Sequence, residues 1–257
     1  MKRKTAVITG AASGIGLAIS KDLARQSYNV ILSDVNLRSL QAIVDELLKE
    51  DLHVLAQQLD VTSDSDISTM IKLLEQQGGH ADILINNAGV QHVSKLEDFP
   101  VDRWKELNDI LLVGPAMLTR AVLPLMRQHN YGRIINIGSI HSLVASPNKS
   151  AYVAAKHGLL GFSKVVALET ANQNITINTL CPSYVKTALV EMQIARQAKE
   201  HGIPEDEVIH KIMLEPMPKK SFIALDEITG AVNYLISDAA RNMTGQELVL
   251  DGGWTAR

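Results

Sequence analysis

The stretch Thr5-Ala-Val-Ile-Thr-Gly-Ala-Ala-Ser-Gly-Ile-Gly16 carries an apolar run straight into a glycine-rich turn, and an amphipathic segment follows as far as Gln26. The run predicts a buried strand and the amphipathic segment a helix. A turn of this composition between strand and helix lets backbone N–H groups approach a pyrophosphate at the positive end of the helix. A bulky side chain at Gly10, Gly14 or Gly16 would obstruct that approach, and Ser13 and Ile15 lie inside the same turn. Three glycines alone also fit a merely tight turn. The strand before, the helix after and the position at the first strand-to-helix connection single out a nucleotide cradle. The Met-Lys-Arg-Lys start suggests a signal peptide, but the run after it is too rich in glycine and too polar at Thr9 and Ser13.

The chain has 257 residues, 46% hydrophobic and 21% charged, which predicts one globular domain over 1–257 with a core that needs no disulfide or structural metal. A net charge of −3 argues against a nucleic-acid partner. Cys181 stands alone, so no internal disulfide forms and a reducing, cytoplasmic setting is expected. No uncharged apolar run reaches the roughly 18 residues of a membrane span, so none is expected. Among the 8 histidines, no His/Cys/Asp/Glu group has metal-ligand spacing, and no metal is expected.

Beyond the first turn, apolar runs and helical segments alternate. Strands are predicted at Thr5–Thr9, Asn29–Ser33, His53–Gln57, Ile83–Asn86, Gly132–Ile137, Ile175–Leu180 and Glu247–Leu250. Helical segments are predicted at 14–26, 36–50, 64–77, 102–129, 150–172 and 226–237. This alternation means an α/β fold with a doubly wound parallel sheet, Rossmann-like, its strands buried on both faces. Residues 183–222, with Pro204, Pro216 and Pro218, read as irregular and too long for an ordinary connection; a lid over the substrate is the functional reading.

Asp34 ends the second strand, where an acid accepts hydrogen bonds from the adenosine ribose hydroxyls and repels a 2′-phosphate. That favours NAD over NADP, although Arg38 one helical turn on softens the preference. A helix cap for the segment from Asn36 is the alternative role of Asp34. Asp60-Val61 after the third strand and Asn86-Asn-Ala-Gly89 after the fourth lie where ligands bind in such sheets. Tyr152 and Lys156 sit one helical turn apart and leave the same face.

With these elements in place the chain resembles the short-chain dehydrogenase/reductase family. The resemblance rests on Thr9-Gly-x-x-x-Gly-Ile-Gly16, Asn86-Asn-Ala-Gly89, Ser139, Tyr152-x-x-x-Lys156 and Cys181-Pro182, in order across the whole chain. It implies a homotetramer and an NAD(P)-dependent oxidoreductase acting on a small molecule, with no membrane or nucleic-acid partner. It implies dinucleotide contacts from Gly10, Ser13, Gly14, Ile15, Gly16, Asp34, Asp60, Val61, Asn87, Ala88, Gly89, Tyr152, Lys156, Pro182, Val185 and Thr187. Oxidising a secondary alcohol needs a base, and an unperturbed tyrosine pKa of about 10 is too high for one at neutral pH. The Lys156 cation and a bound nicotinamide both favour the phenolate, which makes Tyr152 the expected base and Ser139 the group that orients the substrate oxygen.

Val90-Gln-His92, His141-Ser-Leu-Val-Ala-Ser146, Asn148-Lys-Ser-Ala-Tyr152, Leu189-Val-Glu-Met-Gln-Ile194 and Asp251-Gly-Gly-Trp254 are similar to bacterial family members that oxidise (R)-3-hydroxybutyrate to acetoacetate with NAD. This implies that Gln91, His141, Lys149 and Gln193 hold the substrate beside Ser139 and Tyr152, and that Trp254 shapes the pocket. Each keeps a bland alternative: a solvated loop lysine, a packed loop histidine, a surface-helix glutamine. Ser183 stands where a glycine is usual, and Tyr184 where those members often carry tryptophan. Leu111 occupies the place of an asparagine thought to anchor a water that links the lysine to solvent. The departure predicts a slower or rerouted proton relay unless Asn108, a turn earlier, substitutes. Competing readings are a short-chain dehydrogenase for another small hydroxy acid or an acyl thioester, and a catalytically weak NAD-binding protein, which Leu111 alone favours.

Overall fold

A computed structural model describes residues 3–256. Met1, Lys2 and Arg257, the ends of the expected domain, lie outside the described residues, as do the side chains of Leu189, Glu200 and His201. The strands are β1 (Thr5–Thr9), β2 (Asn29–Asp34), β3 (Val54–Gln58), β4 (Ile83–Asn86), β5 (Gly132–Ile137), β6 (Ile175–Pro182) and β7 (Glu247–Leu250). They form one parallel sheet in the order β3-β2-β1-β4-β5-β6-β7. Helices α1 (Gly14–Arg25), α2 (Leu37–Leu48), α3 (Asp64–Gln76), α4 (Val101–Asn108), α5 (Gly114–Gln128), α6 (Ser150–Glu169) and α9 (Leu225–Ile236) match the expected helical segments to within a few residues.

The absence of polar alternation in β1 follows from burial on both faces. Ala6 and Ile8 join Ile19 and Leu23 of α1 and Ile228 and Val232 of α9 in one core. Val7, between them, joins Met70 of α3 and Leu118 and Val122 of α5 in the other. Successive strand side chains point to opposite faces, so every residue of such a strand must be apolar or small. Helices α4 and α5 run on through a one-turn π segment, Asp109–Val113. The continuous helix Val101–Gln128 is long and apolar enough, by length and composition, to cross a membrane. Here its Leu107, Leu111, Leu118, Val122 and Met126 are buried in the core instead.

The chain runs from β1 through β2 to β3 on one side and then crosses back to β4 on the other side of β1, so the carboxyl ends of β1 and β4 open a crevice. A reciprocal clamp fixes it. The Thr9 hydroxyl accepts from the backbone N–H groups of Asn87 and Ala88, both at 3.0 Å. The Asn87 amide donates back to the carbonyls of Thr9 (2.9 Å) and Gly10 (3.1 Å). Gly10 has a φ of +63°, and a Cβ on Gly16 would collide with the Gly10 carbonyl and the Asn87 amide.

Residues 183–222 are irregular mainly at their ends, 183–187 and 214–222. The middle of the range folds into α7 (Ala188–His201), α8 (Glu205–Val208) and a second π turn, Ile209–Met213. Thr187 caps α7 through its hydroxyl, and Gly202 ends it at φ +65°. Pro204 occupies the N-cap of α8, where no N–H is needed, so it starts a helix rather than breaking one. Val190, Ile194, Val208 and Met213 form a small core of their own. The base of the excursion is stapled where Ile223 N donates to Tyr184 O (2.9 Å) and Lys186 N to Ile223 O (3.2 Å).

Thr9→Val keeps the shape of the clamp and leaves two N–H groups without an acceptor. Denaturant unfolding is expected to show a loss of about 1–3 kcal/mol.

Candidate active site

The carboxyl ends of β1, β4, β5 and β6, with α6 and α7, enclose a cavity of about 300 Å³. Gly10, Ser13, Gly14, Ile15, Asp34, Asn87, Gly89, Pro182, Val185 and Thr187 line it on the glycine-turn side. Four residues expected there do not line it. Gly16 is consumed by close packing against Gly10 and Asn87. Asp60 turns its carboxylate onto the N–H (2.9 Å) and hydroxyl (2.7 Å) of Thr62. Val61 packs where a Cβ on Gly114 would sit, and Ala88 gives its N–H to Thr9. Asp34 accepts from Ala12 N (3.2 Å) and Asn36 N (3.0 Å). Helix α2 is capped by the Asn36 side chain on Ser39 N (3.1 Å), so the capping role open to Asp34 belongs to Asn36. A carboxylate with two of about four lone-pair sites filled keeps capacity for a ligand.

The opposite side holds Ser139, Tyr152 and Lys156. Strand β5 ends at Ile137, and Ser139 opens a short 3-10 turn, Ile140–Ser142. Its hydroxyl accepts from His141 N (3.2 Å) while Ser142 Oγ accepts from Ser139 N (3.2 Å), a reciprocal cap that fixes the turn. Helix α6 sets the Lys156 ammonium 5.7 Å from the Tyr152 ring centroid. The ammonium donates to Ile137 O at 2.6 Å, and burial brings its pKa down to about 8. Burial pushes the Tyr152 phenol up, and the hydrogen bond with Ser139 partly offsets this. The lowered tyrosine pKa expected from sequence is therefore not found in the protein alone: desolvation outweighs the Ser139 hydrogen bond.

His141, 4% exposed, holds its Nε2 3.1 Å from the Lys149 ammonium. Burial, and next the Lys149 charge, bring its pKa down to about 4. Neutral His141 thus accepts the ammonium hydrogen bond at Nε2, which assigns its own proton to Nδ1. Burial also lowers the pKa of Lys149. Trp254 lies edge-on to His141 (6.0 Å between centroids, 82°) and stacks on Tyr184 (6.2 Å, 28°). Asp251 holds the turn that carries Trp254, accepting from Gly253 N, Thr255 N and Thr255 Oγ1 at 2.7–2.8 Å. Gln91 and Gln193 both line the cavity, and Gln91 Oε1 accepts from His92 N (3.0 Å).

Leu111 lies in the first π segment and lines the cavity, packed in an apolar cluster with Tyr152, Ala151 and Ala155. The Asn108 amide, one turn earlier, donates to Trp104 O (2.8 Å) within its own helix, and Asn108 does not line the cavity. Val90, Ile140 and Val190 line the cavity without having been singled out from sequence. Their only sequence signal was position: Val90 follows the Asn-Ala-Gly turn and Ile140 follows Ser139.

Comparison with known proteins accords with this geometry. The family model described as short chain dehydrogenase matches residues 4–198, and the chain belongs to that family. It is an oxidoreductase of the short-chain dehydrogenase type. It is 46% identical over 256 residues to a D-beta-hydroxybutyrate dehydrogenase of Rhizobium meliloti, covering 99% of each chain. Against a D-beta-hydroxybutyrate dehydrogenase of Cupriavidus necator the identity is 43%, covering 99% of this chain and 98% of the other. The fold superposes on the crystal structure of an actinorhodin polyketide ketoreductase with NADPH (TM-score 0.93, 28% identity, 99% and 98% coverage).

His141 also leaves a mark on stability. Its folded pKa of about 4 lies below the ordinary value of 6.5, so the unfolded chain takes the proton first. The stabilisation is complete above about 6.5 and is lost as pH falls through about 4. Urea midpoints at pH 7 and pH 5 are expected to fall further apart in the wild type than in His141→Gln.

Proposed function

We propose that this chain catalyses the reversible oxidation of (R)-3-hydroxybutyrate to acetoacetate with NAD as hydride acceptor. One observation carries the reading: a single cavity joins the Ser139–Tyr152–Lys156 constellation to a cationic pole in which Lys149 is held on neutral His141. A short acid with one secondary alcohol suits that pairing. The identity to the two D-beta-hydroxybutyrate dehydrogenases supports it.

The glycine turn fits a dinucleotide. A Cβ on Gly10 would come within 2.9 Å of Ala88 Cα, so only a bare backbone fits there. Asp34 at the cavity edge favours ribose hydroxyls and repels a 2′-phosphate, which is the basis for NAD over NADP. When bound, the nicotinamide supplies the hydride acceptor.

The remaining work belongs to this chain's own residues. Ser139 donates to the substrate oxygen and sets its angle to Tyr152. Tyr152 takes the hydroxyl proton during oxidation and returns it during reduction. Lys156, with a pKa of about 8, is mostly charged at neutral pH and favours the phenolate. Its bond to Ile137 O keeps the ammonium in place. Lys149 pairs with the substrate carboxylate. His141, being neutral, positions that ammonium through Nε2 without adding a second charge. Helix α7 acts as a lid that carries Gln193 onto the carboxylate. Leu111 offers no hydrogen bond, so protons reach Lys156 by another route.

The test follows dinucleotide reduction by absorbance with racemic 3-hydroxybutyrate and either coenzyme. NADH is expected, with NADP at least about tenfold slower. Tyr152→Phe is expected to lower kcat by about 10²–10⁴-fold, with NAD affinity retained. A signal with NADP alone, or none with any short 3-hydroxy acid, sinks the reading. Lys149→Met removes a charged hydrogen bond and is expected to raise KM for 3-hydroxybutyrate by about 10–100-fold.

A further inference from the structure

We propose that Ser146 is a positioning residue: its hydroxyl takes over the hydrogen bond to His141 Nε2 when the Lys149 ammonium turns to the substrate carboxylate. This rests on the 3-hydroxy-acid reading above and deepens it.

Two donors face one acceptor. His141 Nε2 lies 3.1 Å from the Lys149 ammonium and 3.5 Å from Ser146 Oγ. The unprotonated nitrogen of a neutral imidazole offers one lone pair, so it accepts from one donor at a time. In the protein alone the nearer ammonium holds it, and Ser146 stands at the outer limit of hydrogen-bond distance. Neighbours keep the ring from following the ammonium. Tyr152 (6.2 Å between centroids, 89°) and Trp254 (6.0 Å, 82°) stand edge-on to it, and His141 N donates to Ser139 Oγ at 3.2 Å. Ser146 is half-buried and does not line the cavity, so it reaches His141 without competing for the ligand. Its loop is pinned two residues on, where the carbonyl of Asn148 (φ +64°) accepts from Ser94 N at 2.9 Å.

A carboxylate changes the balance between these donors. An ammonium gains more from an opposite charge than from a neutral nitrogen, so a bound acid draws Lys149 away from Nε2. His141 is buried, and a buried acceptor left without a donor would weaken the binding that emptied it. Turning the Ser146 hydroxyl about its single torsion brings an O–H onto Nε2 and removes that cost. No proton changes owner in the exchange: His141 stays neutral and Lys149 stays charged. Ser146 therefore acts on the substrate only through the freedom it gives Lys149.

The test is calorimetric binding of butyrate and of its neutral isostere butyramide to the NAD-loaded protein. Wild type is expected to favour butyrate. Ser146→Ala is expected to bind butyrate about tenfold more weakly, with its affinity for butyramide unchanged. Ser146→Thr, which keeps the hydroxyl, is expected to retain more of the butyrate affinity than Ser146→Ala. Equal butyrate affinity in wild type and Ser146→Ala overturns the proposal, because the ammonium then serves both partners at once. Equal losses for butyrate and butyramide, a Ser146→Thr protein no better than Ser146→Ala, or no preference for butyrate in wild type overturn it as well. In turnover, Ser146→Ala is expected to raise KM for 3-hydroxybutyrate by about tenfold and to change kcat far less; an effect on kcat alone counts against the handover. The butyrate pattern in a protein that does not oxidise 3-hydroxybutyrate supports the handover and sinks the reaction reading instead.

Discussion

Two backbone N–H groups at the end of β4 converge on the hydroxyl of Thr9 at the end of β1, and the Asn87 amide returns two hydrogen bonds to the carbonyls of Thr9 and Gly10. This exchange closes the point where the sheet changes direction. Without it, the strand ends that part to make the crevice would carry buried groups with no partner. Gly10 and Gly16 follow from it, since both stand where a side chain would strike the clamp. The cavity beyond therefore has a rigid floor before any ligand arrives.

On that floor the titratable groups share one problem: burial. Lys156 and Lys149 are amines whose charge the site disfavours, His141 is held neutral, and the Tyr152 phenol is pushed up. Each keeps a specific local contact as compensation: Ile137 O for Lys156, His141 Nε2 for Lys149, Ser139 for Tyr152. A site of this kind gains from any ligand that brings negative charge to its amines, because the unfavourable desolvation has already been met in folding.

Much of the fold was legible because its signals are local. The Gly10–Gly16 turn, the unbroken apolar strands and the one-turn spacing of Tyr152 and Lys156 are each visible in a few consecutive residues. The helices between Ala188 and Met213 were not legible, because prolines read as breakers while the apolar contacts among Val190, Ile194, Val208 and Met213 join separate segments. The same limit explains Asp60, Val61 and Ala88. Their positions at strand ends are sequence features, but the partners that turn them from the cavity lie on Thr62, Gly114 and Thr9.

The sequence by itself determined the parallel α/β architecture, the glycine cradle and the residue types able to move a proton, because periodicity, turn chemistry and helical spacing act between near neighbours. Tertiary structure alone decided that Lys149 rests on His141, that Asn36 and not Asp34 caps α2, and that the Tyr152 phenol is raised in the protein alone. Those outcomes depend on which distant groups exclude water from a site and which supply its last hydrogen bond. Desolvation has no expression in the order of residues until the chain has folded around them.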